Sequence, residues 1–274
     1  MQTQWTDKTI EIEGAVFHYI RTGDGGKPPM VLLHGFSDNG LCWQPVAEEF
    51  EDRYDILLPD ARGHGLSARV EPGQKVDTPA DTDRLLAALG IQHALVGGHS
   101  MGSATAAGLA ARFPERVSAL LLEDPPWRLP KPDEKPNAFL SKDNPLKAWM
   151  AGLQQKSMSE VIAQCKLENP TWPDIYIQRW GEGKKQLDLN FFTTQGADWG
   201  NWAETVQAIH CPALVISADP ALGGIIDAEI AQKISSLNPL FRIAYIPGAG
   251  HHIRFAQPAA YIQVLNSFLM AVAV

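Results

Sequence analysis

The chain has 274 residues, 45% of them hydrophobic, which is enough apolar material for one large α/β domain or two small ones. Its formal net charge of −8 argues against nucleic acid or an anionic membrane surface as a partner, because both favour a basic face. The three cysteines are too widely spaced for a disulfide framework or a zinc site, and the N-terminus lacks the apolar core of a signal peptide. We therefore expect a soluble, cytoplasmic protein.

Short apolar runs alternate with helical patterns along most of the chain. Around Gly14, polar and apolar residues alternate, which predicts an antiparallel hairpin at a sheet edge. Continuous apolar runs, typical of central parallel strands, cover residues 30–33, 54–59, 94–96, 117–122, 212–217 and 241–246. Helical patterns cover residues 41–50, 78–89, 103–113, 227–237 and 261–272. This alternation predicts an α/β protein with a mostly parallel, doubly wound sheet.

The pattern changes between residues 128 and 204. Apolar strand runs are missing there, and helical stretches occur instead at 146–155, 158–166 and 172–179. We predict a helical cap over residues 128–204, inserted into a core domain of residues 1–127 and 205–274. Six of the eight tryptophans lie between positions 127 and 202, which favours an apolar substrate, with Trp127 predicted to line the substrate pocket. Large rings that simply fill the core of a small cap are the alternative.

The segment Gly98-His99-Ser100-Met101-Gly102 lies between a predicted strand and an alanine-rich helix. A turn directly from strand to helix strains the backbone of its central residue, and the flanking glycines remove side chains that would collide with their neighbours. In this context the pattern Gly-x-Ser-x-Gly predicts a nucleophile elbow, with the Ser100 hydroxyl exposed at the positive end of the helix. The alternative is a glycine-rich turn with an incidental serine.

A serine hydroxyl is a poor nucleophile unless a base takes its proton. We predict that His251 is this base, because it follows a strand in the flexible turn Gly248-Ala249-Gly250-His251. His252 is adjacent, but the side chains of neighbours in a turn point apart. His64 lies in a tight polar loop, where a structural hydrogen-bonding role fits better.

Two backbone amides are predicted to bind the oxyanion of a tetrahedral intermediate. One belongs to Met101, directly after the nucleophile. The other belongs to Phe36, in the turn His34-Gly35-Phe36-Ser37 that follows the first central strand. Gly35 allows the tight bend that directs the Phe36 amide into a cleft.

Four segments occur in the order typical of the α/β-hydrolase superfamily. They are Val31-Leu32-Leu33-His34-Gly35-Phe36, Asp60-Ala61-Arg62-Gly63-His64-Gly65-Leu66-Ser67, Gly98-His99-Ser100-Met101-Gly102 and Gly248-Ala249-Gly250-His251. The chain resembles the capped esterase, lactonase and C–C hydrolase members over essentially its whole length outside the cap. This resemblance implies the α/β-hydrolase fold and a Ser/His mechanism that uses no metal or cofactor.

The serine at the elbow is unlike the haloalkane dehalogenases and epoxide hydrolases of the superfamily, which use an aspartate there. The resemblance therefore favours a carboxylesterase or lactonase that acts through an acyl-enzyme on a small, fairly apolar ester or lactone. One alternative is a C–C bond hydrolase of the meta-cleavage type. From another class, a ligand receptor with slow turnover remains an alternative, and the oligomeric state is left open.

The resemblance offers two places for the third member of the triad. Most of the superfamily carries the acid after the strand at residues 212–217, where Asp219 stands, although Ala221 occupies the position expected for the acid. A minority carries it at the end of the strand after the elbow helix, where Asp124 stands. We favour Asp124 and keep Asp219 as the alternative. Asp227, farther along, is better explained as a helix N-cap.

Overall fold

The computed structural model describes residues 5–129, 143–195 and 201–272. Residues 130–142 and 196–200 of the predicted cap, including Trp199, lie outside the described residues. In the part of the chain that is described, no helix has the length and apolar character needed to cross a membrane.

Eight strands form a single sheet. They are β1 (Thr6–Ile12), β2 (Ala15–Arg21), β3 (Pro29–Leu33), β4 (Asp55–Pro59), β5 (Ala94–His99), β6 (Val117–Glu123), β7 (Ala213–Ser217) and β8 (Phe241–Tyr245). Their order in the sheet is β1-β2-β4-β3-β5-β6-β7-β8. The strand β2 is antiparallel to β1 and β4, and the other pairs are parallel. The predicted edge hairpin and mostly parallel sheet are therefore confirmed.

Helices cover both faces of this sheet. They are α1 (Gln44–Phe50), α2 (Thr78–Ala88), α3 (Met101–Arg112), α4 (Pro145–Gln155), α5 (Met158–Glu168), α6 (Asp174–Gln186), α7 (Trp202–Gln207), α8 (Ala228–Leu237), α9 (Ile253–Ala256) and α10 (Pro258–Val272). Successive residues of β3 alternate between two apolar clusters, because side chains of a strand point to opposite faces. One cluster includes α1 and α10, and the other includes α2, α3 and α8.

The helices α4, α5 and α6 lie in the predicted cap and share an apolar cluster with one face of the sheet. Tyr176 of α6 stacks on Phe255 of α9 with ring centroids 4.5 Å apart. The helix α7 belongs with the core instead, because its Trp202 stacks on Trp127 with centroids 5.7 Å apart. The predicted domain boundary at residue 205 thus falls inside α7. The N-cap interpretation of Asp227 agrees with its carboxylate, which accepts a hydrogen bond from the Ile230 amide at 2.8 Å.

Candidate active site

Ser100 alone makes the turn from β5 into α3. Its backbone angles are φ 50° and ψ −115°, which strain a residue with a side chain by about 1–3 kcal/mol. The Ser100 amide donates to the Glu123 carbonyl at 3.0 Å, and the Ser100 carbonyl accepts from the Ala104 amide at 3.1 Å. These hydrogen bonds to β6 and to the first turn of α3 hold the strained turn in place.

The two glycines of the elbow are required by their surroundings. A β-carbon on Gly98 would lie 2.3 Å from the backbone of Gly102. A β-carbon on Gly102 would lie 2.1 Å from the carbonyl oxygen of Leu33 in β3. Because neither neighbour is a flexible side chain, any larger residue at these positions forces the backbone apart.

The structure brings His251 and Asp124 together. His251 follows β8 and is 27% exposed at its side chain, whereas the Asp124 side chain, directly after β6, is fully buried. The Nδ1 atom of His251 lies 2.6 Å from Oδ2 of Asp124. The carboxylate therefore accepts the Nδ1 proton and leaves Nε2 as the basic nitrogen of a neutral ring.

The Asp124 carboxylate is itself held by backbone amides. The Ile225 amide lies within 3.0 Å of both oxygens, and the Ile226 amide donates to Oδ1 at 3.1 Å. Asp124 also has a positive φ of 41°, an uncommon backbone conformation for a residue other than glycine. Strain and a buried carboxylate at one position are typical of functional sites.

Asp219 has a different environment. Its carboxylate accepts a hydrogen bond from the Ala221 amide at 2.9 Å and caps a short 3-10 turn at Pro220–Leu222. Its amide donates to the Ala249 carbonyl at 2.9 Å, which supports the loop that carries His251. The structure thus gives Asp219 a local capping role and brings Asp124, of the two candidate acids, to the imidazole.

A second contact ties His251 to the elbow. The Nε2 atom of His99 lies 3.0 Å from the His251 carbonyl, so this nitrogen carries a proton and donates it. His99 is buried, and burial together with the nearby His251 holds its pKa well below the ordinary value. The neutral ring of the residue before Ser100 therefore fixes the backbone of the predicted base.

The turn that carries Phe36 continues to Asn39, and we call residues 34–39 the oxyanion loop. The Ala61 amide donates to His34 Nε2 at 2.9 Å, so the proton of this neutral ring is on Nδ1. That Nδ1 donates to the Gly35 carbonyl at 2.8 Å, and the Asp38 amide donates to the same carbonyl at 3.1 Å. Because a trans peptide is planar, these donors direct the Phe36 N–H the opposite way.

Met101 is the first residue of α3, where the first amides of a helix have no intrahelical acceptor. Its side chain packs with Phe191 and Val70, and Phe36 packs against the same cluster. The rings of Phe191 and Phe192 lie 5.8 Å and 5.1 Å from that of Phe36. Apolar side chains from the predicted cap therefore surround the residue whose amide is a predicted oxyanion donor.

His64 contacts this apolar cluster, and its surroundings fit a structural role rather than a catalytic one. It is fully buried, and its Nδ1 donates to the Arg62 carbonyl at 3.1 Å. Burial and the neighbouring His34 lower the pKa of His64 to about 3. Its ring packs against Phe191 with centroids 4.7 Å apart, in agreement with the structural role predicted for it.

Among the described residues, Trp127 packs in the core. Its side chain is 1% exposed and lies in the apolar cluster that packs α3 and α8 on the sheet. Besides stacking on Trp202, it contacts Phe241 of β8 with centroids 6.4 Å apart. Trp127 is predicted to line the substrate pocket, but in the structure its ring packs in the core because α7 covers it.

Two buried ion pairs near the site escaped the sequence analysis. Arg254 Nη1 lies 2.7 Å from Glu123 Oε2, and both side chains are fully buried. Lys184 Nζ, from α6, lies 2.7 Å from Asp38 Oδ1, and these side chains are 5% and 1% exposed. The sequence alone does not show whether a charged residue is buried or which residue it pairs with. The only local signal here is that Glu123 lies at the end of an apolar strand.

One cluster offers ligand atoms of the kind that bind metals. Asp38, His99 and His252 each place one such atom within 4.8 Å of the others. The Lys184 ammonium already neutralises the Asp38 carboxylate, and this ammonium would repel an added cation. We therefore assign no metal to this cluster.

Comparison with known proteins agrees with the fold. A family model described as alpha/beta hydrolase fold matches residues 28–164, half of the chain. Epoxide hydrolase 3 of Xenopus tropicalis is 33% identical over 288 residues, covering 93% of this chain and 75% of that protein. N-formylmaleamate deformylase of Pseudomonas putida is 25% identical over 276 residues, covering 98% of each chain.

Among solved structures, E-2-(acetamidomethylene)succinate hydrolase superposes with a TM-score of 0.75 at 21% identity, covering 97% of this chain and 100% of that one. The sequence match and the shared eight-stranded sheet together establish that this chain belongs to the alpha/beta hydrolase family.

Proposed function

We propose that this chain is a serine hydrolase that cleaves esters or lactones of small, fairly apolar carboxylic acids through Ser100, His251 and Asp124. The observation that carries the proposal is the 2.6 Å contact between His251 Nδ1 and Asp124 Oδ2. It orients an imidazole whose backbone is tied to the residue before a strained serine. A base so oriented and a half-buried serine at a helix start are the parts that nucleophilic acyl transfer requires.

In the proposed reaction, His251 Nε2 takes the proton of the Ser100 hydroxyl while Oγ attacks the substrate carbonyl carbon. The amides of Phe36 and Met101 donate hydrogen bonds to the resulting oxyanion. When the tetrahedral intermediate collapses, the C–O bond to the alcohol breaks and His251 returns the proton to the leaving oxygen. A water molecule, deprotonated by the same nitrogen, then cleaves the acyl-enzyme and restores Ser100.

The proposed preference for apolar substrates rests on the surroundings of Phe36. Met150, Leu187 and Phe192 form a buried apolar cluster against it, all from the segment 128–204 that we propose as the cap. The two cations buried deepest within the described residues, Lys184 and Arg254, are each paired with a carboxylate. Neither is left to bind a substrate carboxylate, which favours a neutral substrate.

The comparisons favour a second candidate, the hydrolysis of an anionic substrate. Two of the similar proteins carry names that denote the hydrolysis of a succinate and of a maleamate, which are carboxylates. For this chain, the same nucleophile and oxyanion donors would serve such a C–N hydrolysis or a meta-cleavage-type C–C hydrolysis. A basic group that binds the substrate carboxylate would then be needed in the pocket.

Steady-state hydrolysis tests the proposal with a panel of p-nitrophenyl esters of increasing acyl length, several lactones, N-formylmaleamate and a dienoate ring-cleavage product. We expect many turnovers on a neutral ester or lactone, and a loss of about 10⁴-fold or more in Ser100→Ala. Faster turnover of the anionic compounds would favour the second candidate. A single turnover on every compound would indicate a receptor, and activity of Ser100→Ala within tenfold of the parent would refute the serine mechanism.

A further inference from the structure

The helix α6 packs directly on the backbone of the oxyanion loop. A β-carbon on Gly183 would lie 2.7 Å from the α-carbon of Asp38 and 2.9 Å from the carbonyl oxygen of Ser37. A helix approaches another backbone this closely only where a glycine faces it. The segment proposed as the cap therefore touches the main chain two residues after Phe36.

Lys184, the next residue of α6, makes a charged contact with the same loop. Its ammonium lies 2.7 Å from Asp38 Oδ1 and 3.3 Å from the Ser37 carbonyl oxygen. Burial raises the pKa of Asp38, but the charge and hydrogen bond of Lys184, together with the nearby His252 and Arg254, outweigh this and bring it to about 2, so the carboxylate stays ionised. Two residues on, the Gln186 side chain accepts a hydrogen bond from Asn39 at 2.7 Å.

Asp38 transmits this contact to the Phe36 amide. Its own N–H donates to the Gly35 carbonyl, the oxygen of the peptide group whose nitrogen is that of Phe36. Between them, Ser37 has a positive φ of 63°, a conformation that a residue with a side chain keeps only when its surroundings hold it. Lys184 contacts both the Ser37 carbonyl and the Asp38 side chain, on either side of the peptide bond that follows this strained residue.

We propose that Lys184 is a positioning residue for the hydrolytic step: by binding Asp38 and the Ser37 carbonyl, it holds the oxyanion loop so that the Phe36 amide faces the oxyanion. The inference rests on the proposed function, because it assigns Lys184 to that oxyanion site. It gives α6 a part in stabilising the transition state in addition to covering the substrate. A group that acts on the oxyanion alone affects kcat and leaves substrate binding nearly unchanged.

The test compares Lys184→Met with Lys185→Met on the most active neutral ester. Lys185 is a matched control, because its ammonium lies 2.6 Å from the Gln154 and Lys156 carbonyls, within the proposed cap. We expect Lys184→Met to lower kcat about 10- to 100-fold, less than the loss of a whole oxyanion donor, with KM within threefold. The affinity for a trifluoromethyl ketone, which forms a tetrahedral oxyanion on Ser100, should fall by the same factor. Lys184→Arg should restore most of kcat, and Lys185→Met should resemble the parent.

Lys184→Met leaves the Asp38 carboxylate buried without its partner, so a folding defect has to be separated from a positioning defect. The double variant Asp38→Asn/Lys184→Met removes that unpaired charge, and we expect it to fold while kcat stays low. A folded double variant with the parent's kcat and ketone affinity would overturn the inference. So would a kcat loss without a matching loss of ketone affinity. Failure of the proposed function would appear separately, as activity that survives in Ser100→Ala.

Discussion

The Glu123 carboxylate and the Arg254 guanidinium form a fully buried ion pair, 2.7 Å apart. Glu123 precedes Asp124 along the chain, and Arg254 lies three residues after His251. The Arg254 amide also donates to Glu123 Oε1 at 3.1 Å, and the guanidinium stacks 3.9 Å from the Trp43 ring centroid. This pair joins the end of β6 to α9, the short helix that begins two residues after His251.

Removing one partner of this pair should destabilise the fold strongly. We expect Arg254→Met to lower the free energy of unfolding by about 3–5 kcal/mol, because Glu123 is left buried and uncompensated. The matched control is Arg112→Met, which breaks the Arg112–Asp77 pair; its side chains are 46% and 36% exposed, and the expected loss is below about 1 kcal/mol. Urea unfolding measures both, and equal losses would contradict a structural role for the buried pair.

The buried histidines should make the fold sensitive to mild acid. Burial holds the pKa values of His34, His64 and His99 below the ordinary value of 6.5, with His64 at about 3. In the unfolded chain these rings take up protons below about pH 6.5, whereas in the folded protein their lowered pKa values delay this uptake. The unfolded state then binds more protons, so stability should fall as the pH drops below 6.5, by up to about 1.4 kcal/mol per pH unit for each ring that is still neutral, and for His64 this continues towards pH 3.

Urea unfolding at pH 6.5 and pH 5.0 measures this slope. We expect His64→Gln to reduce it, because one proton fewer is taken up on unfolding. His210→Gln is the control, since His210 is exposed. Stability that is constant or rises between pH 6.5 and pH 5.0 would show that the three rings are not held neutral in the fold.

Much of the site follows from local sequence, and the exceptions depend on distant partners. The elbow can be predicted because the turn itself has no room for side chains at positions 98 and 102, and both positions are glycine. Lys184 and Lys185 look alike in sequence, and only the packing of α6 on the oxyanion loop decides which is buried. The choice between Asp124 and Asp219 depends on the loop that follows β7, where amides of Ile225 and Ile226 bind Asp124.

The loss of kcat on neutralising each candidate acid distinguishes Asp124 from Asp219. We expect Asp124→Asn to lower kcat by about 10³- to 10⁴-fold, because an amide no longer fixes the His251 tautomer. Asp219→Asn should cost less than about tenfold, since its carboxylate caps a short turn. The measurement is kcat on the same neutral ester for both variants. A large loss confined to Asp219→Asn would assign the acid to the loop after β7.

Trp127 should affect stability and leave substrate preference unchanged. Its position after β6 favours a pocket residue. Local sequence does not predict that its ring stacks on the distant Trp202. We expect Trp127→Ala to lower the free energy of unfolding by about 3–5 kcal/mol, as for large buried aromatic residues. Because this loss of stability interferes with rate measurements on Trp127→Ala, Trp127→Phe is used to measure the rates on short and long acyl esters. A changed ratio of these rates in Trp127→Phe would return the residue to the pocket.

Covalent labelling shows directly whether Ser100 is a nucleophile activated by His251. The protein is treated with a fluorophosphonate, which transfers its phosphorus to an activated serine with loss of fluoride, and the adduct is located by peptide mass spectrometry. We predict one adduct per chain, on the peptide that carries Ser100, and none in Ser100→Ala. An unlabelled parent protein, or an adduct that persists in Ser100→Ala, would contradict the account.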